Sequence, residues 1–76
     1  MFSLDQLPLG STASIKSINC TGIIKTRLQD LGLVEGTPIA AILRSPLGDP
    51  TAYEFRGSII AIRTDEAEQI TVENVK

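Results

Sequence analysis

Seventy-six residues, of which 42% are hydrophobic, leave room for one small core, and with two Phe, one Tyr and no Trp that core is built from aliphatic side chains. A net charge of -2 runs against the concentrated Lys and Arg with which proteins neutralise nucleic-acid phosphates, so no nucleic acid is expected as a partner. The absence of His and the single Cys20 exclude an internal disulfide and a Cys/His zinc site, and predict a chain of the reducing cytoplasm.

In chain order, Leu4, Leu7 and Leu9 interleaved with Pro8 and Gly10 predict an extended leading segment laid on the core as a lid. No charged leader and no run of roughly 20 apolar residues is present, so membrane insertion is not expected. Residues 13–18 alternate as a half-buried strand, with Ala13 and Ile15 inward and Ile18 out of phase, which marks a bend. Ile23, Ile24, Leu28 and Leu31 follow helical spacing over about ten residues, with Asn19 or Thr21 as the cap and Gly32 as the left-handed stop. Lys25, Gln29 and Asp30 form the solvated face of that helix.

Val34-Glu35-Gly36 turns the chain into a strand over 37–45. There Ile39, Ala41 and Leu43 make one row and Ala40, Ile42 and Arg44 the other, the pattern of a central strand. The segment Ser45-Pro46-Leu47-Gly48-Asp49-Pro50 has the composition of a protruding loop. Tyr53 and Phe55, then Ile60 and Ile62, predict a hairpin closed at Arg56-Gly57. Asp65–Gln69 reads as an acidic turn, and Ile70 and Val72 as the core side of a last strand. Five short strands and one helix inserted between the first and second predict a mainly β fold, a small, strongly bent barrel of one domain over 1–76, closed so as to hide its edges.

These positions carry a resemblance. Leu4-x-x-Leu7-x-x-Gly10, then Arg27-Leu28-x-x-Leu31-Gly32-Leu33-x-x-Gly36, then Ser45 to Pro50, and finally Ala61-Ile62-Arg63 before Glu66-Ala67 resemble the FeoA family, small cytoplasmic partners of the bacterial ferrous iron transporter FeoB. The likeness runs from about Leu4 to Val72, with Thr26 and Ser45 as mild departures from the family pattern. It implies an SH3-like barrel, as in the C-terminal domain of diphtheria-toxin-repressor-type iron regulators. It also implies a non-enzymatic accessory role in ferrous iron uptake, exercised by binding FeoB at its cytoplasmic, GTPase-bearing side. The residues offer two further readings, a repressor-type regulatory module and a self-associating module pairing through the Ile-rich hairpin as a homo-oligomer.

Leu28, Leu31, Gly32, Leu33 and Gly36 are assigned to the fold, the leucines as core. Arg27 sits beside Leu28 on the helix and either pairs with a carboxylate or meets a partner. The 45–50 loop is either a rigid connector or a recognition knob that presents an exposed Leu47 beside Asp49. Arg44, Arg56 and Arg63 either solubilise strand ends or form a modest basic patch. No cofactor and no metal site is expected: Asp65, Glu66 and Glu68 offer only oxygens, a weak set for a transition metal ion. No base, nucleophile arrangement or phosphate loop marks an enzyme. Cys20 is either a small buried side chain or a thiol whose pKa the helix start lowers.

Overall fold

The computed structural model describes residues 1–74. The expected domain boundary at residue 76 therefore lies outside the described residues. Among the described residues six strands form one antiparallel sheet: β1 (Phe2–Ser3), β2 (Thr12–Ile18), β3 (Pro38–Arg44), β4 (Thr51–Phe55), β5 (Ser58–Ile62) and β6 (Ile70–Asn74), ordered β1-β6-β2-β3-β4-β5. Helix α1 (Gly22–Asp30) lies between β2 and β3, and a single-turn helix α2 (Thr64–Ala67) between β5 and β6. The inserted helix and the β-rich architecture match the expectation, with one extra strand at the start moving the helix to second place.

Three expectations are corrected. The leading segment is not wholly extended: Leu4–Gln6 is a 3-10 turn, because Gln6 Oε1 accepts the Ser3 N–H and fixes the turn that buries Leu4 and Leu7. Leu9, beyond Pro8, stays exposed. The acidic turn at 65–69 contains a helix whose inward residue is Ala67, fully buried. The sheet is also not closed by hydrogen bonds, since β1 and β5 end the strand order and do not pair with each other.

Two bulges set which side chains face inward. Register shifts between Ile15 and Ser17 against β6, so Ile15 opposes Val72 and Ile18 opposes Ile70, and two isoleucines three residues apart both turn to the core. The phase break read at Ile18 thus has its cause at Lys16. On β3, register shifts between Ala41 and Leu43 against β4. Ala41 opposes buried Tyr53, but Leu43 opposes Ala52 on the outer face and is 64% exposed. The predicted Ile39-Ala41-Leu43 row therefore ends at Ala41, and β3, central in the strand order, is covered on one face only.

Among the described residues the core comprises fifteen buried apolar residues, including Leu4, Ile15, Leu28, Leu33, Ile39, Tyr53, Phe55, Ile62, Ile70 and Val72. Helix α1 contributes just one fully buried side chain, Leu28. Ile24 shares its face at i,i-4, whereas Ile23 is rotated about 100° away and stands 85% exposed, against the sequence expectation. Leu31 is likewise 42% exposed rather than core, because it occupies the C-cap, where the helix is already ending. That end is a Schellman motif: Leu33 N–H donates to Leu28 O at 3.0 Å and Gly32 N–H to Gln29 O at 2.9 Å. Gly32 has φ +98°, the left-handed geometry the motif requires and the sequence predicted.

Candidate functional site

Arg27 occupies the outer face of α1 and is exposed. Its expected carboxylate partner is absent: among the described residues the one ion pair joins Arg63 to Asp65 at 3.7 Å, both side chains well exposed. Ile23 lies one helical turn before Arg27, so the two share a ridge with an apolar and a cationic member. The core reading of Ile23 concealed that ridge. The ridge borders an open, solvent-facing concavity along α1, lined by Ile23, Thr26, Arg27 and Asp30 among others, and so offers an apolar and a cationic group to a partner.

The 45–50 loop protrudes as a self-braced knob. Ser45 N–H donates to Pro50 O, Gly48 N–H to Ser45 O, and Leu47 N–H to Ser45 Oγ at 3.3 Å, while Gly48 takes φ +87°. The Asp49-Pro50 peptide is cis. Leu47 at the tip is 93% exposed, the most exposed large hydrophobic among the described residues. Asp49, expected to be presented beside Leu47, turns inward instead. Its Oδ1 accepts the Thr64 N–H at 2.7 Å and the Thr64 hydroxyl at 3.1 Å, which caps the start of α2 from beside the open end of the β4–β5 hairpin. The knob is thus Pro46-Leu47-Gly48, and Asp49 is its anchor. Among the described residues no hydrogen bond or ion pair links Arg27 with 45–50, so the structure gives two separate candidate surfaces.

The three strand-end arginines are each engaged locally. Arg44 Nε donates to Thr51 Oγ1 at 3.4 Å, Arg63 meets Asp65, and Arg56 Nε donates to Gly32 O at 3.0 Å. The last contact joins the hairpin turn to the end of α1. Arg56 and Gly57 both have positive φ, the two-residue type I′ geometry expected of the hairpin. Gly32 O also accepts the hydroxyl of Thr37, a buried polar residue that the sequence reading did not single out. Thr37 Oγ1 in turn accepts the Val34 N–H. A Thr after Gly36, entering a strand, was the available signal.

The carboxylates near α2 also serve the fold. Glu66 Oε1 accepts the Arg63 N–H at 3.1 Å, completing the cap that Asp49 begins. Among the described residues no three Asp, Glu or Cys side chains converge on one point. Cys20 is buried and its Sγ donates to Glu66 O at 3.5 Å. Burial pushes its thiol pKa up, with the Glu66 carboxylate adding to the rise and a backbone hydrogen bond and Lys25 opposing it. The thiolate-lowering alternative read from the helix start is therefore reversed in sign.

The outer face of β3–β4–β5 was missed altogether. Cross-strand partners Leu43–Ala52–Ala61 and Ala40–Glu54–Ile59 form two rows on it, with Ile59 67% exposed. The bulge in β3 turns Leu43 onto this face, and no alternation rule locates a bulge.

Among the described residues no helix is long and apolar enough to cross a membrane. The profile of the FeoA domain family matches residues 2–74. A curated relative from Porphyromonas gingivalis, named as a fusion of Fe(2+) transport protein A and the Fe(2+) transporter FeoB, is 30% identical over 70 residues; the match takes in 92% of this chain and 8% of that protein. The solution structure of a FeoA protein from Chlorobium tepidum superposes with a TM-score of 0.93 at 35% identity, covering 99% of this chain and 71% of the other. The FeoA of Stenotrophomonas maltophilia, crystallised with zinc and described as an SH3 domain protein, gives 0.83 at 27% identity over 96% and 91%. A manganese-dependent transcriptional repressor shares the fold alone, at 12% identity and a TM-score of 0.83 over 96% of this chain and 41% of its own.

Proposed function

Because the chain belongs to the FeoA domain family, we propose that it is a non-enzymatic accessory protein of bacterial ferrous iron uptake, acting at the cytoplasmic side by docking on an FeoB-type transporter. The observation that carries this reading is the Porphyromonas gingivalis relative, in which a similar segment and the transporter are one polypeptide. Covalent linkage places two partners at high effective concentration, an arrangement that suits domains which work in contact. Within the chain, the braced Pro46-Leu47-Gly48 knob and the Ile23–Arg27 ridge fit docking: each presents an exposed apolar group on a rigid element, which limits the entropy lost on binding. One domain spanning the chain, as read from the sequence, is part of this proposal.

The test is calorimetric titration of the purified protein into the detergent-solubilised transporter of the same cell, with GDP and with a non-hydrolysable GTP analogue. Saturable binding, weakened at least about tenfold by Leu47→Asp or by Arg27→Glu, is the expected result. Heat of dilution alone in both nucleotide states refutes the proposal, and undiminished binding by both variants refutes the two surfaces.

A further inference from the structure

The free edge of β5 has a geometry that its own copy completes. We propose that β5 is the pairing edge of a symmetric homodimer, in which a second copy's β5 joins antiparallel about Ile60 and continues the sheet.

Among the described residues β5 pairs with β4 alone. A two-residue loop closed by Phe55 and Ser58 makes 55/58, 53/60 and 51/62 the hydrogen-bonded pairs of the hairpin. The N–H and C=O groups of Ile59 and Ala61 therefore point outward along the open edge. In an antiparallel pair about Ile60, Ile59 of each copy faces Ala61 of the other, so these outward groups meet as two hydrogen-bonded pairs. Ile60 then opposes its own counterpart in a non-hydrogen-bonded pair.

Side chains and charge agree with that register. Ile59 and Ala61 both lie on the outer face, the first standing proud and the second shallow beside Ala52. Each Ile59 thus fills the step above the opposite Ala61, large against small in both halves. A shift of one residue would turn Ile59 against inward-facing neighbours and lose this fit. The strand Ser58–Ile62 carries no charge and no Pro, the usual devices that keep edges apart. Beyond it, Arg63 would face Gly57 and Arg56 would face Thr64, so no like charges oppose one another.

Sedimentation equilibrium from about 1 to 500 µM tests this. The mass is expected to rise from one copy to two and to stop there. Ile59→Lys, at an exposed position, should raise the dissociation constant at least about tenfold with an unchanged circular dichroism spectrum. Ala61→Pro, which removes an outward N–H and no hairpin bond, should abolish the dimer. Ile60→Cys should cross-link under mild oxidation and Ser58→Cys should not, because the proposed register brings Ile60 alone opposite itself. A one-copy mass at every concentration overturns the proposal. So does growth beyond two copies, a dimer indifferent to both edge variants, or equal cross-linking through Ser58→Cys.

Discussion

Asp49 decides whether the 45–50 loop is anchored as described. Replacing it with Ala removes a carboxylate that accepts two hydrogen bonds from Thr64, one of them from a backbone N–H at the start of α2. A helix of four residues cannot sustain itself, so loss of this cap also loosens the seat of Ala67 in the core. N-cap truncations cost about 0.5–2 kcal/mol, and hydrogen bonds to charged groups about 1.5–3; water can reach this half-buried site and replace part of the loss, which gives about 1–2 kcal/mol. An unfolding entropy of about 160 cal/mol/K for a chain of this length converts that to a Tm lower by about 6–12 °C. Asp49→Asn keeps the acceptor without its charge, and recovery of roughly half the loss is expected. Thermal unfolding followed by circular dichroism measures both, and amide exchange at Thr64 should accelerate in the Ala variant. A Tm for Asp49→Ala within about 2 °C of the parent, with Thr64 exchange unchanged, would refute the anchor.

Gly32→Ala should destabilise by about 1–3 kcal/mol, since φ +98° strains any L side chain and the new Cβ would lie 2.8 Å from Arg56 Cδ. Arg56→Ala in the same chain should relieve the contact and not the strain, so urea midpoints of the two single variants and the double variant should be non-additive; strict additivity would show that the contact is immaterial. Burial raises the pKa of Tyr53 above its ordinary value, as it does for Cys20. Folding favours the protonated form of both, so their contribution is complete below the unfolded-state pKa values, about 8.5 for Cys and 10 for Tyr, and is lost as pH rises through the folded-state values. The urea midpoint should fall above about pH 9, and Tyr53→Phe, which also loses the hydroxyl bond to Leu4 O, should flatten the upper part of that fall. A midpoint level to about pH 10.5 would contradict this.

The elements that sequence patterning located are those whose signals are local. The Schellman stop needs Gly32 between Leu28 and Leu33, which are five residues apart, and the hairpin needs two residues of positive φ; both are written in short runs of sequence. What escaped depends on distant partners. Asp49, fifteen residues back in the sequence, shares the capping of 64–67 with the local Glu66, and its half of that cap is not written in the acidic run itself. The bulges at Lys16 and Ile42 arise from register against β6 and β4, and they alone decide that Ile18 faces in and Leu43 faces out. Ile23 precedes Leu28 by five residues, about 140° around the helix, and so lies off the face through which Ile24 and Leu28 dock α1.

The same register separates the two interactions that the fold offers. The knob connects β3 to β4 at the Thr51 end, whereas the Arg56-Gly57 turn lies at the other end of the hairpin, and pairing about Ile60 is antiparallel. Two copies joined through β5 would therefore carry their knobs at opposite ends of the paired strands, neither covered by the other. Leu47→Asp alters a side chain that is 93% exposed, so it should leave both stability and dimer mass unchanged while weakening transporter binding. Ile59→Lys should do the reverse for mass, and should lower transporter binding only as far as two knobs on one particle bind better than one. Running both variants through sedimentation and titration thus tests each surface against the other. Loss of dimer mass in Leu47→Asp would show that the knob, and not the β5 edge, holds the copies together.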